Sequence, residues 1–271
     1  MASNPASASR RAALGRGVRE SAAALASFAV VGLAWQAVVA LGWLDLPGPV
    51  AVARTFLSLL VTPDPVFGKT IWEMVGLSLW IVLRGGLVGV LAGLPTGLVL
   101  GAFPRIRPAL RPLLGVLQPI PPLAWLPLAY LVFAGAARPS VWVQLFVVAL
   151  AVFFPVTWAT FQGVEYSPPV FAMVARTFGA TSRQLLFRVS LPAALPALMS
   201  GIRVGVGVGW MSIIAAEFVG GRTGIGFFVW NAYSLGGRSA QVMAGILAIG
   251  LTGLAMNYLL LLLEKKVTPW H

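Results

Sequence analysis

The chain has 271 residues, 59% of them hydrophobic and 10% charged, with a mean hydropathy of +0.90. A water-facing domain carries about 25% charged residues, so an ordinary soluble protein is excluded and lipid is the main solvent. Cysteine is absent and the single histidine is the terminal His271, which excludes disulfides, thiolate chemistry and a histidine cluster, so no metal site is expected. The net charge of +12 fits Lys and Arg gathered in the cytoplasmic loops of a membrane protein better than it fits a nucleic-acid-binding surface.

Residues 1–20 are small and basic and are expected to form a cytoplasmic, largely disordered N-terminus. The uncharged stretch from Ser21 to Leu44 exceeds the about 7–15 residues of a signal-peptide core and reads as a first transmembrane helix. With the Pro-rich external connection that follows, it makes a segment 21–70, in which Val50–Leu60 is expected to form a short interfacial helix. A spanning helix needs about 20 apolar residues. Six spans are expected, near 22–44, 76–102, 113–134, 140–162, 197–219 and 241–263. Residues 71–264 hold the five-helix core, and 265–271 form a cytoplasmic tail.

Twelve basic residues fall on one side of this arrangement: Arg10, Arg11, Arg16, Arg19, Arg105, Arg107, Arg111, Arg176, Arg183, Arg188, Lys265 and Lys266. Five fall on the other: Arg54, Lys69, Arg138, Arg222 and Arg238. The excess marks the cytoplasmic side and places both termini there.

Span 2 carries Gly85, Gly89, Gly93, Gly97 and Gly101 at four-residue spacing, and span 5 repeats the device with Gly201, Gly205 and Gly209. Lipid supplies no hydrophobic drive for helix association, so close backbone approach must supply it. These faces read as packing seams within the subunit, with a place along the pathway or a dimer axis as the alternative. Arg84 lies inside span 2, where an ionisable group is costly and functional by default. It is a candidate for facing the translocation cavity and attracting an anion. Span 3 carries Pro119, Pro121, Pro122 and Pro127 around Trp125. Each proline removes a backbone donor, and broken helices line substrate sites in several transporters. Pro121, Pro122 and Trp125 are therefore pathway candidates; the other reading is a helix entered late, with the prolines in a turn. In span 5, Arg203 lies near the cytoplasmic end and can snorkel. Glu217 lies near the external end and reads as a local cap or partner of Arg222, or as an external gate.

The loop 163–195, GVEYSPPVFAMVARTFGATSRQLLFRVSLPAAL, is too polar to span and too patterned to be slack. Val170, Val174, Phe178, Leu185, Leu186 and Val189 suggest two short helices with apolar faces that meet at Gly179. Glycine accepts the positive φ of such a turn at no steric cost. Arg176, Arg183 and Arg188 would face the cytoplasm. A rigid elbow of this kind suits a motor domain that must push on it.

At this loop the sequence resembles the permeases of ATP-driven (ABC) importers. Their cytoplasmic pattern is Glu-Ala-Ala, three residues, Gly, nine residues, Ile, any residue, Leu-Pro. Here it reads Met173-Val174-Ala175, three residues, Gly179, nine residues, Val189-Ser190-Leu191-Pro192, with Met173 in place of the Glu. The segments IPPLAWLPL (120–128), ALPALMSGIRVGVGVGWMSIIAAE (194–217), TGIGF (223–227) and LEKKVTPW (263–270) resemble the nitrate, bicarbonate, taurine and alkanesulfonate branch. That branch often shows Ser-Leu-x-Arg-Val-Leu-x-Gly in span 2; here Ile81 takes the Arg position and Arg84 follows three residues later.

The resemblance implies an all-α polytopic membrane protein with the type I ABC-importer permease fold and cytoplasmic coupling helices. Within the coupling loop it points to Ala175, Arg176, Gly179, Ala180, Arg183, Val189, Leu191 and Pro192 as the residues that meet an ATPase. It also implies a second permease copy, forming a homodimer or heterodimer, two cytoplasmic ATPase subunits, and an external solute-binding protein. The solute would be a small oxyanion such as a sulfonate, taurine, nitrate or bicarbonate, or alternatively an aromatic or pyrimidine-type nutrient. The chain itself is not expected to be an enzyme or to hold a cofactor. It lacks the GxxxxGK[ST] run of a nucleotide site, and ATP and Mg belong to the partner. An ion-coupled secondary transporter usually shows inverted repeats and midplane carboxylates; no repeat is visible and Glu217 is the only carboxylate within a span.

Overall fold

The computed structural model describes residues 23, 26–27, 29–43, 46–167 and 169–269. The N-terminal segment 1–20 and the last two residues lie outside the described residues. The elements are α1 (Ala29–Ala40), α2 (Pro49–Val61), α3 (Ile71–Ala102), α4 (Arg107–Leu117), a 3-10 turn (Pro122–Trp125), α5 (Leu126–Val132), α6 (Pro139–Glu165), α7 (Pro169–Thr177), α8 (Ser182–Leu185), a π-turn (Leu186–Ser190), α9 (Leu191–Gly220), α10 (Ile225–Ser234) and α11 (Ser239–Val267). No strand occurs among the described residues.

Helix α6 is the central element. Val143, Val147, Val148, Val152 and Val156 on it are fully buried, with α3 on one side and α9 on the other. The glycines set both approaches. A Cβ at Gly89 would lie 2.6 Å from the Ala149 carbonyl oxygen, at Gly93 2.8 Å from that of Phe153, and at Gly97 2.5 Å from that of Thr157. Gly85 and Gly101 lie as closely against Val148 and Val164. From the other side, Gly205 meets the Val152 backbone, Gly209 faces Val148 and Val152, and Gly201 faces Pro155 and Ala159. The Thr157 hydroxyl donates to the Gly93 carbonyl at 3.3 Å, a further bond between α3 and α6.

The ends of α3 are tied down locally. At its start the Thr70 amide donates to Glu73 Oε2 at 2.7 Å and the Glu73 amide returns to Thr70 Oγ1 at 3.4 Å, a capping box. At its end Arg107 donates to the Leu100 and Gly101 carbonyls, 3.0 and 3.2 Å away, and forms an ion pair with Glu165 at the end of α6. A guanidinium there satisfies terminal carbonyls and suits the negative end of the helix dipole. The opposite face has its own clamp. Buried Asp64 accepts from the Val66 and Phe67 amides and pairs with Arg238, which precedes α11.

Three departures from the sequence reading have physical causes. Span 3 is not one straight helix: α4 and the segment Pro122–Val132 meet at 91°. Pro119, Pro121 and Pro122 leave the break without the donors that a continuous ladder needs. Among the described residues four helices are long and apolar enough to cross a membrane, or five with the bent pair as one; of the first expected span only part is described, including Ala29–Ala40. Second, the span near 197–219 begins far earlier. Segment Ser182–Gly220 runs 39 residues without a break. Pro192 cannot donate to the carbonyl of Arg188, and just before it the ladder shifts to the i→i+5 register, with the Leu191 amide donating to the Leu186 carbonyl. Third, α10 was not expected. It has ten residues, all but Asn231 and Ser234 apolar or aromatic, and is too short to cross a membrane.

The seam predicts a contrast between two glycines. Gly89→Ala forces a methyl group into the α6 backbone and should cost about 1–3 kcal/mol, lowering the thermal midpoint of the purified protein. Gly207 on α9 has open space where a Cβ would go, so Gly207→Ala should leave the midpoint unchanged or raise it. Circular-dichroism melts in one detergent check both.

Candidate functional site

The loop between α6 and α9 folds into an elbow. Helix α7 ends in a Schellman-type closure, in which the Gly179 amide donates to the Arg176 carbonyl at 2.9 Å and the Ala180 amide to the Ala175 carbonyl at 3.0 Å. Gly179 has φ of 77°, the left-handed region that a residue with a Cβ enters at a cost. Thr181 then opens α8 with a second capping box: its amide donates to Gln184 Oε1 at 2.8 Å and the Gln184 amide donates to Thr181 Oγ1 at 3.4 Å. The Thr-x-x-Gln spacing was there to be read. Two capped turns back to back leave the bend little freedom.

What the elbow presents outward is apolar. Phe178 is 87% exposed, and Phe171, Met173, Val174 and Phe187 are also exposed. Of the six residues read as the apolar faces of the two short helices, only Leu185 is buried. A groove of about 540 Å³ runs beside the bend, lined by Phe171, Val174, Ala175, Val189 and Pro192, with Arg188 at its side. Arg176, Gly179 and Arg183 are exposed around it, while Ala180 and Leu191 are half-buried. A contiguous exposed apolar patch with a basic rim marks a protein interaction surface. Because α8, the π-turn and α9 form one run, force applied here enters the membrane helix directly.

At the far end of that run Glu217 is 2% exposed. It makes no ion pair with Arg222, which corrects the local pairing read from sequence. The Ser78 hydroxyl donates to Glu217 Oε1 at 2.7 Å, the Gly226 amide donates to Oε2 at 2.7 Å, and the Ile225 amide donates to the Ser78 oxygen at 3.0 Å. One carboxylate thus satisfies the N-terminus of α10, where a negative charge is favoured, and locks α3, α9 and α10 together. The glycines of TGIGF follow from it. Gly224 has φ of 105° and Gly226 lies where a Cβ would meet the Glu217 side chain.

The other candidates separate. Arg84 stands near the middle of α3, deeper than the early-span place expected. It is exposed on the side away from the glycine seam, 4.1 Å above the Trp80 ring. Arg203 does not merely snorkel; it pairs with Glu264 of α11 at 3.2 Å. At the break in span 3, Pro122 and Trp125 line a cavity of about 160 Å³ with Gln118, Phe154 and Val208. Pro121 is exposed beside it. The buried Trp125 Nε1 has no partner among the described residues, an unspent donor beside that cavity.

Comparison with known proteins agrees with this architecture of packed spans and an exposed elbow, which defines a membrane transport subunit. The family model for the binding-protein-dependent transport system inner membrane component matches residues 86–269, and the chain belongs to that family. It is 32% identical over 256 residues to the taurine transport system permease protein TauC of Escherichia coli (strain K12), covering 93% of this chain and 91% of that one. It is 32% identical over 242 residues to the nitrate import permease protein NrtB of Synechococcus elongatus, covering 87% and 85%. To its namesake in Synechocystis it is 31% identical over 246 residues, covering 90% and 88%. The chain is therefore a multi-pass inner-membrane subunit of an ABC importer, a transport component rather than an enzyme, that works with an ATPase and a solute-binding protein.

Two substitutions probe this geometry. Gly179→Ala places a Cβ-bearing residue in the left-handed region at a cost of about 1–2 kcal/mol; it should lower ATP-driven uptake in reconstituted vesicles several-fold at unchanged permease content. Glu217→Ala strands the buried Ser78 hydroxyl and Gly226 amide and should cost about 1–3 kcal/mol, read as a lower thermal midpoint in detergent.

Proposed function

We propose that this chain builds, with a second permease copy, the membrane pathway for a small oxyanion of the taurine, sulfonate, nitrate or bicarbonate kind. The solute arrives from an external binding protein. The observation that carries the mechanism is the capped elbow at Gly179, apolar on its outer surface and continuous with α9. An ATPase pair seated on the Ala175, Val189 and Pro192 groove, with Arg176 and Arg183 at its rim, would move that elbow. The motion would pass along α9 to the Glu217 junction with α3 and α10. ATP and Mg sit in the ATPase, and this chain supplies no cofactor of its own. Lipid covers the outer faces.

The relatives' names support the solute class: nitrate is a small oxyanion and taurine carries a sulfonate. The twelve-to-five split of basic residues supports both termini and the elbow on the cytoplasmic side. The clamps agree with that sorting of loops. Arg107 and Glu165 meet on the basic face, and Asp64 and Arg238 meet on the other. The unspent Trp125 donor beside the broken span supports a pathway that offers hydrogen bonds to an acceptor-rich solute.

The test is uptake of radiolabelled taurine and nitrate by proteoliposomes that hold the permease, its ATPase and its binding protein. Accumulation should require ATP on the elbow side and fail with an ion gradient alone. Uptake driven by an ion gradient without ATP would contradict the proposal. The chain has no cysteine, so Thr181→Cys gives a clean topology probe, and a membrane-impermeant maleimide should label it only from the cytoplasm.

A further inference from the structure

A cavity lies at the opposite end from the elbow. Its volume is about 880 Å³, and it is lined by Tyr130, Arg138, Ser140, Gln144, Arg222 and Thr223 among others. No acidic residue lines it among the described residues. The one carboxylate of α9, Glu217, is committed elsewhere, to Ser78 and Gly226. Neither Arg138 nor Arg222 has an ion-pair partner among the described residues, whereas Arg107, Arg203 and Arg238 each do.

Gln144 supplies the second, independent observation. Its side chain is 7% exposed and borders the cavity, yet it has no hydrogen-bond partner among the described residues. At the cavity wall a polar occupant would find in this amide both a donor and an acceptor. The first turn of the 27-residue α6 reaches the same space through Pro139, Ser140 and Val141. That is the positive end of its dipole; Pro139 has no amide to offer and the Val141 amide donates to the Arg138 carbonyl at 3.1 Å, which leaves Ser140 as the donor of this turn. The wall on the α9 side is held in place by the Tyr130 hydroxyl, which donates to the Gly220 carbonyl at 3.2 Å.

We propose that this cavity is an anion vestibule, in which Arg138 and Arg222 draw in a small oxyanion and Gln144 with Ser140 orients it before it enters the pathway. Two guanidiniums in a recess raise the local anion concentration, and their planar forks match the oxygens of a sulfonate or nitrate. The volume suits a small molecule with its water. An acidic patch on the binding protein is the competing occupant, but a recess with a buried, unpaired amide at its wall favours a small ligand over a protein surface. The inference rests on the importer reading above, and its test separates the two.

The permease–ATPase complex in nanodiscs, without binding protein, is titrated with nitrate and with ethanesulfonate, using chloride and glycerol as controls at constant ionic strength. Binding is followed by microscale thermophoresis. Both oxyanions should bind and the controls should not. The Arg138→Gln/Arg222→Gln pair should weaken oxyanion binding at least tenfold, and Gln144→Leu several-fold. Equal binding of chloride, or unchanged oxyanion affinity in the double variant, would overturn the vestibule. So would a double variant that loses affinity only for the binding protein. Stimulation of ATP hydrolysis by the loaded binding protein, measured on the unaltered complex, reads the importer role separately. If that stimulation stands while the anion titrations fail, only the vestibule falls.

Discussion

Close backbone contact along two faces of α6 is the constraint on which the rest of the molecule depends. In lipid, apolar side chains gain little by leaving their solvent, so long helices stay together through packing and a few polar ties. Here the glycines of α3 and α9 remove every Cβ that would hold the backbones apart. Arg107, Glu165 and the α3 carbonyls pin one end of this block, and Glu217 with Ser78 pins the other. The result is a three-helix slab in which displacement of one member carries the others.

That rigidity gives the elbow its meaning. A flexible coupling loop would absorb a push, whereas two capping motifs on either side of Gly179 leave only rigid-body motion. The π-turn at Leu186–Ser190 lets the chain pass Pro192 without a break, so the arm proposed to meet the ATPase and the helix long enough to cross the membrane are one rod. At the rod's far end the buried Glu217 carboxylate holds α10, and the cavity between α5, α6 and the end of α9 lies alongside. Motion at the elbow therefore reaches the mouth of the proposed pathway through covalent helix rather than through a chain of side-chain contacts.

Much of this was legible because it is local. The four-residue glycine period, the Gly179 bend and the short helix α2 are all patterns within a few turns of chain. Glu217 was read as a local cap or partner of Arg222; it does cap α10 through Gly226, but its bond to Ser78, 139 positions away, was missed, because no local pattern announces a contact of that range. Arg203 with Glu264 and Asp64 with Arg238 were missed for the same reason. The prolines of span 3 were noticed, yet they fit equally a late helix start and a sharp bend; tertiary packing against α6 settles the 91° geometry. The length of the α8–α9 run was missed because residues 182–195 are too polar to read as part of a span and were placed in the loop. The shift of ladder register that accommodates Pro192 has no sequence signature of its own.

The rod is the element to measure. In this cysteine-free background, spin labels at Arg183 and Val219, both exposed, report its length, roughly 50 Å at helical rise. A second label pair, Arg183 with an exposed residue of α2 such as Leu57, reports its displacement. Pulsed dipolar spectroscopy on the assembled transporter, with and without ATP, should show the first distance constant and the second shifted. A change of several ångströms within the Arg183–Val219 pair would mean that the elbow bends independently of α9, and the mechanical account would be wrong.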